Sequence, residues 1–190
     1  MTTFRFPAQS ATWYDDIAVG QHFRSVQPIR LSSHDIIDFA RRYDPKPGHF
    51  DPQTAEETFF QGLAASGWQT AAVTQRLVTE TGFPVDHSVG IGVELTWPTP
   101  TRPGDELVVD LEVKSRRLSR SQPDRGIVEI FSQTLNQTGQ VRQETRITIL
   151  LFRDPAVLGQ ESPIGQTAAQ RPAATSSDSE SEGCQCPDRI

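Results

Sequence analysis

The sequence predicts an α+β fold in which one long antiparallel sheet wraps a central helix. Three observations carry this. Residues 106–114 alternate strictly, with Leu107, Val109, Leu111 and Val113 on one face and Glu106, Asp110, Glu112 and Lys114 on the other, the period of a half-buried strand. Three more stretches, 88–97, 126–136 and 141–153, read the same way, and turn residues such as Pro103-Gly104-Asp105 and Gln137-Thr138-Gly139 separate them. Short links between consecutive strands predict an antiparallel meander. Ahead of the four strands lies a helical stretch to about Glu80, whose Ala71, Ala72, Val73, Leu77 and Val78 suit a buried helix in close contact with a sheet.

The preceding elements follow from local chemistry. Residues 1–12 read as a flexible leader, and Val19-Gly20 makes a turn before a strand over 22–31. Ser32 can cap a helix, and Asp35 three positions later closes a capping box. That helix runs to about Tyr43, with Ile36, Ile37, Phe39 and Ala40 as its apolar stripe. Pro45 and Pro47 end it, so Asp44 falls just past the helix end. Asp51 caps a short helix that opens on Pro52, carries Ala55, Phe59 and Phe60, and breaks at Gly62. Thr81-Gly82-Phe83-Pro84 ends the central helix. The domain spans 13–154.

Composition excludes several functions. The chain has 190 residues and a formal charge of −6. Residues 155–190 hold five acidic residues against two arginines, half of that net charge in under a fifth of the chain. Their Ser, Thr, Gln, Gly and Pro content predicts a disordered acidic tail, because it cannot bury enough apolar surface to offset ordering entropy. No basic patch suggests a nucleic-acid partner. The two cysteines, Cys184 and Cys186, lie in the tail as exposed thiols, so the fold is expected to stand without disulfides, as in the cytoplasm. No secretory leader is expected, and no apolar run approaches the roughly 20 residues of a membrane span.

The segment Asp44-Pro45-Lys46-Pro47-Gly48-His49-Phe50-Asp51 carries the chemistry. A carboxylate and an imidazole stand five residues apart, and two prolines stiffen the backbone between them. The pair cannot share one regular helix and is expected on a rigid loop. An imidazole titrates near neutrality and a carboxylate can orient it or share proton transfer, so Asp44 and His49 are the candidate acid–base couple. The scattered His22, His34 and His87 read as surface or structural residues.

This segment, Ala65-Ser66-Gly67 at the start of the central helix, Trp97 to Asp105, Ser119 to Gly126 and Asn136 to Gly139 together resemble the MaoC-like dehydratase family, which includes the (R)-specific enoyl-CoA hydratases. The resemblance covers about residues 13–153. It implies the hotdog fold and a homodimer whose sheets join, with catalytic sites near the interface. It implies an acyl-CoA thioester substrate, hydrated from the trans-2-enoyl to the 3-hydroxyacyl form by Asp44 and His49. No metal or redox cofactor is needed, and coenzyme A enters only as part of the substrate. A backbone N–H at a helix N-terminus can hold the developing oxyanion. Gly67 is the candidate donor, and Ser66 beside it is a helix cap grouped with the substrate-binding residues. Asn usually stands where this chain has Lys46, which is expected to face solvent or an anionic ligand. A larger apolar residue usually stands at Gly48, and its loss is expected to loosen the approach to His49. Gln75 falls near the position of a hydroxyl that assists some hydratases. Trp68 and Trp97 are expected in the core or an interface. Arg102, Arg120 and Arg125 are expected as solvated charges, with coenzyme A phosphates as the other reading. A thioester hydrolase and a non-catalytic acyl-binding subunit are alternatives on the same fold.

Overall fold

The alternation of residues 106–114 becomes β4 (Glu106–Leu118), and its inward Leu107, Val109, Leu111 and Val113 are at most 1% exposed. This computed structural model describes residues 13–159. Residues 1–12 and 160–190 lie outside the described residues, and so do the expectations of a leader, of most of the tail, and of Cys184 and Cys186.

The elements ahead of the central helix include β1 (His22–Arg24), β2 (Ile29–Arg30), α1 (Ser33–Tyr43) and the one-turn α2 (Pro47–Phe50). The single strand expected over 22–31 is thus two. Both pair antiparallel with β4, but between Arg24↔Asp110 and Ile29↔Leu107 the chain advances five positions against three on β4. Pro28 has no N–H to give a ladder there. Ser25 stays bound to Val109 through both its backbone and its hydroxyl.

The capping box forms as expected. Asp35 N–H donates to Ser32 Oγ at 3.2 Å, and Ser32 N–H donates to Asp35 Oδ2 at 2.9 Å. Next comes α3 (Pro52–Glu56), capped by Asp51. It stops before Phe59 and Phe60, which were expected on it. Gln61 and Gly62 take positive φ of 50° and 126°, so the chain reverses. The Thr58 hydroxyl marks the helix end by donating to Ala55 O and accepting from Phe60 N–H.

The central helix, α4 (Gly67–Val78), packs on β4 and β6 (Val141–Phe152). Its buried face is more polar than the sequence suggested. Gln69, Thr70 and Thr74 are buried with Leu77, while Ala72 is exposed. The polar groups are paired across elements: Thr70 donates to Thr101 at 3.0 Å, and Thr74 and Thr134 lie 2.7 Å apart. Buried hydroxyls that bond each other carry little penalty and fix the helix at one depth on the sheet.

Three strands form the predicted meander: β4, β5 (Arg125–Leu135) and β6. The fourth, β3 (Ser88–Thr96), does not join it in sequence order. It pairs antiparallel with the far edge of β6, giving the order β1-β4-β5-β6-β3. The reason is occupancy: β5 takes one edge of β4, while β1 and β2 take the other. The open edge of β6 is what remains for β3. The link 97–105 therefore crosses the molecule and passes the start of α4. Trp97 and Trp68 meet there edge-to-face at 5.8 Å, and they are 41% and 62% exposed, so neither is core in this chain.

Among the described residues, no helix is long and apolar enough to cross a membrane. The fold closes with β6, and residues 155–159 form turns.

Candidate active site

Asp44 ends α1, with its N–H bonded to Ala40 O at 2.9 Å. Pro45 keeps it out of the helical region, and Pro47 then opens α2 at the position where a missing N–H does no harm. His49 sits on that turn of helix, not on the loop the sequence suggested. The turn brings the chain back so that His49 Nε2 lies 3.7 Å from Asp44 Oδ2.

Each group of the pair is held by others. His49 is 4% exposed, and its Nδ1 lies 2.9 Å from the Ala64 carbonyl oxygen. A carbonyl only accepts, so Nδ1 carries a hydrogen, and in the uncharged tautomer this selects, Nε2 presents a lone pair toward Asp44. The Ser66 hydroxyl donates to Asp44 Oδ2 at 2.7 Å, and Lys46 Nζ lies 3.1 Å from Oδ1. Burial acts to raise the Asp44 pKa. Hydrogen bonds from Ser66 and Lys46, with the charge of Lys46, outweigh it and hold the carboxyl below its ordinary value. The pair reads as an ionised carboxylate facing an imidazole. Lys46, expected toward solvent or an anionic ligand, is largely exposed and also pairs with Asp44.

Ser66 is fully buried. Its oxygen accepts from Trp68 N–H at 3.2 Å, the cap expected of it, while its proton goes to Asp44. It was grouped with the substrate-binding residues, but the structure turns it to the carboxylate. Gly67 opens α4, and a Cβ there would meet the Trp97 ring at 2.8 Å. The close approach this glycine allows on its Cα side is taken by an indole.

Gly48 does not loosen the site. A Cβ there would lie 2.9 Å from Phe60, whose ring centre stands 5.2 Å from that of His49. Phe60 fills the space a larger residue would have occupied, and it arrives from the segment after α3.

Arg102 is not a solvated charge. Its Nη1 donates to the carbonyls of Gly62 at 2.9 Å and Leu63 at 3.1 Å, and its Nη2 donates to that of Phe60. Arg125 pairs with Asp124 at 2.8 Å and lies over Phe152, and Arg120 is exposed. His22 pairs with Asp110, His87 stacks on Trp13 and His34 is exposed on α1, in line with structural or surface roles.

A cavity of about 270 Å³ lies between α4 and the sheet. Phe83, Leu111, Ile130 and Ile149 line it, with Thr74, Gln75 and Gln143 as polar members. A larger open depression of about 670 Å³ runs over β3 to β6 beside Lys114 and Arg146, and neither hollow is lined by Asp44, His49, Ser66 or Gly67. Among the described residues, no group of three or more His, Cys, Asp or Glu is placed to hold a metal ion.

Sequence reasoning missed Phe60, Arg102 and the Ala64 carbonyl. The glycine at position 48, with Phe59-Phe60 shortly after it, was a signal for the first. An arginine before Pro103-Gly104-Asp105 was a weak one for the second. A backbone carbonyl has no sequence signature.

The sequence profile described as MaoC like domain matches residues 16–132. The uncharacterized protein YdeM of Bacillus subtilis (strain 168) is 32% identical over 142 residues, which cover 73% of this chain and 98% of that protein. A MaoC-like dehydratase from Rhodospirillum rubrum, solved by crystallography, is 45% identical with a TM-score of 0.73, covering 76% of this chain and 99% of that one. The R-hydratase PhaJ1 from Pseudomonas aeruginosa shares the fold at a TM-score of 0.61 and 24% identity, over 75% of this chain and 86% of that one. The antiparallel sheet wrapped on α4 is the hotdog fold of these proteins.

Proposed function

This chain belongs to the MaoC-like domain family, and from that membership we propose that it hydrates a trans-2-enoyl thioester of coenzyme A, reversibly, to the 3-hydroxyacyl thioester. The dehydratase and (R)-hydratase neighbours support a hydratase or dehydratase in general terms. The observation that carries the specific reading is the 3.7 Å gap between His49 Nε2 and Asp44 Oδ2, with every other polar atom of the pair engaged. That gap exceeds a direct hydrogen bond and suits two acceptors converging on one water.

The water gives one O–H to each acceptor. As its oxygen bonds to C3, the C2=C3 electron pair moves toward the thioester oxygen, and one proton passes to His49 Nε2. Asp44, held ionised by Ser66 and Lys46, orients the water. The His49 imidazolium returns the proton to C2, the thioester carbonyl reforms, and one water has been added across the double bond. Acid–base help of this kind is typically worth about 10²–10⁴-fold. The Gly67 N–H, in the first turn of α4, is the donor assigned to the thioester oxygen, because first-turn N–H groups are free and the helix dipole favours an anion there. Ser66 serves by fixing Asp44. The cavity under α4 is apolar enough to take the acyl chain.

The assembly proposed is a homodimer. The open edge of β3 exposes Val89, Ile91 and Val93, and Trp68 and Trp97 are exposed as well. An unpaired edge that bears apolar side chains is a template for another strand, and a second copy of β3 satisfies it.

A panel of 2-enoyl-CoA substrates, assayed for hydration beside thioester hydrolysis, tests the reaction. Wild type is expected to hydrate. Asp44→Asn and His49→Ala are expected to fall by about 10²–10⁴-fold with the fold retained. Unchanged hydration in both variants removes the site, and release of free thiol alone replaces hydration with hydrolysis.

A further inference from the structure

We propose that Arg102 is a positioning residue for His49, acting through the backbone of residues 60–64. The proposal rests on the hydratase reading for its kinetic consequence and on geometry alone for its structural one.

Residues 60–64 form a strap over the His49 side of the site. Phe60 covers Gly48 and the imidazole, and the Ala64 carbonyl takes the Nδ1 hydrogen. Ala64 N–H is bonded to Gly48 O at 3.1 Å, so strap and α2 are tied at two points of one residue. The strap is not a regular element. Its turn requires φ of 50° at Gln61, an uncommon value for a residue with a Cβ, and 126° at Gly62. With those angles the carbonyls of Phe60, Gly62 and Leu63 converge on one place. Three converging carbonyl dipoles repel unless a donor stands among them.

The guanidinium of Arg102 is that donor. Its fork reaches all three carbonyls at once. A lysine has a single ammonium and no planar fork to match them. Arg102 is itself fixed from behind. Its backbone N–H donates to Asp105 Oδ2 at 2.8 Å, and Asp105 is buried against Arg142 of β6. Arg142 Nη2 donates to Asp105 Oδ1 at 3.1 Å, while its Nε lies 2.8 Å from Oδ2, out of line for a hydrogen bond. Asn136 Nδ2 also donates to Asp105 Oδ1, at 3.0 Å. A continuous path thus runs from the sheet through Asp105, Arg102 and the strap to the imidazole.

The consequence concerns the tautomer. Nε2 can take a proton from water only while Nδ1 holds its hydrogen, and the Ala64 carbonyl is what keeps it there. When the strap is displaced, that acceptor leaves and the hydrogen is free to occupy Nε2. The imidazole then becomes a donor toward Asp44 instead of a base.

The test reads the tautomer directly. ¹⁵N-labelled histidine is followed by two-bond ¹H–¹⁵N correlation in wild type, Arg102→Ala and Arg102→Lys, with His49 assigned by its absence from His49→Ala. Wild type is expected to show the hydrogen on Nδ1. Arg102→Ala is expected to show a mixed or Nε2-protonated His49, with kcat for hydration down about 10–100-fold and KM within about 2-fold, the size that small misplacement of a catalytic group produces. Arg102→Lys is expected to recover part of both signals. Arg153→Ala, which removes a surface ion pair with Asp15, is expected to change neither.

An unchanged tautomer and kcat in folded Arg102→Ala overturns the proposal. If that variant does not fold, Arg102→Lys decides: wild-type tautomer and rate there overturn it, and an intermediate tautomer supports it. A tautomer change in protein whose wild type hydrates no enoyl thioester upholds the positioning and removes the hydratase reading instead.

Discussion

Lys46 places its ammonium 3.1 Å from Oδ1 of Asp44, on the side of the carboxylate opposite the Ser66 hydroxyl, which binds Oδ2. The lysine side chain is 72% exposed, so solvent screens the pair and its effect on global stability is small. Its local effect is to help keep Asp44 ionised.

Lys46→Met is therefore expected to move the acid limb of kcat/KM to higher pH. The Asp44 carboxyl lies below its ordinary value, against a desolvation penalty that pushes it up. Removing Lys46 deletes one hydrogen bond and one charge that lower it, so the variant takes up a proton at a higher pH than wild type. Stability shifts with the same sign. A carboxyl with a depressed folded pKa contributes stability above its unfolded pKa and loses it as pH falls through the folded one. In Lys46→Met the folded pKa rises, so that contribution is smaller and its loss is complete at a higher pH. A pH–rate profile with superimposable acid limbs would falsify this coupling.

Asp105→Ala is expected to lower unfolding free energy by about 3–5 kcal/mol, the usual result of stranding one member of a buried ion pair. Asp105 is 4% exposed and Arg142 6%. Without the carboxylate, Arg142 keeps only its bond to Thr99 Oγ1 among those seen, and Asn136 loses a partner. Urea denaturation of the two proteins measures the difference. A loss under about 1 kcal/mol, the range of an exposed pair, shows that water reaches the site and that Asp105 is not the anchor described.

How much of this could be read beforehand depended on the range of each interaction. The α1 cap was legible because Ser32 and Asp35 are three residues apart. The facing faces of β4 were legible because alternation is local. Asp44 and His49 were legible as a pair because five residues separate them and the prolines limit what lies between. The pairing of β3 was not, since it depends on which edges of β4 are already filled by β1, β2 and β5. The buried threonines of α4 were missed because their partners, Thr101 and Thr134, lie 31 and 60 residues away. Arg102 looked like a surface charge because its partners are carbonyls, which every residue has.

Ile91→Lys is expected to convert a dimer into a monomer with the fold intact. Ile91 is 53% exposed and sits in the bulge between Gly90 and Gly92, where it has no partner on β6. A lysine there keeps its stem on the apolar surface and its charge in water, so the free protomer tolerates it. Bringing a second β3 against it would bury that charge, and edge lysines discourage such pairing. Sedimentation velocity distinguishes the species. A wild type that sediments as a monomer at micromolar concentration removes the homodimer, whatever the variant does.

Gly48→Ala is expected to damage the site through Phe60 and to be relieved by changing Phe60. The added Cβ would lie 2.9 Å from Phe60 Cδ2, closer than carbon atoms normally approach, and 3.2 Å from Thr58 Oγ1, a tight contact. Overpacking of a buried position typically costs about 1–3 kcal/mol. The ring is part of the strap that carries the Ala64 carbonyl, so its displacement also reaches His49 Nδ1. Hydration by Gly48→Ala should fall together with stability. In Gly48→Ala/Phe60→Leu the smaller side chain leaves room for the methyl, and the double mutant should be more stable than the sum of the two single losses predicts. Residues in contact typically couple by about 0.5–3 kcal/mol in such a cycle. Strict additivity of the two substitutions, measured by urea denaturation, would mean that Phe60 does not fill the space above Gly48, and the departure at position 48 would then need another cause.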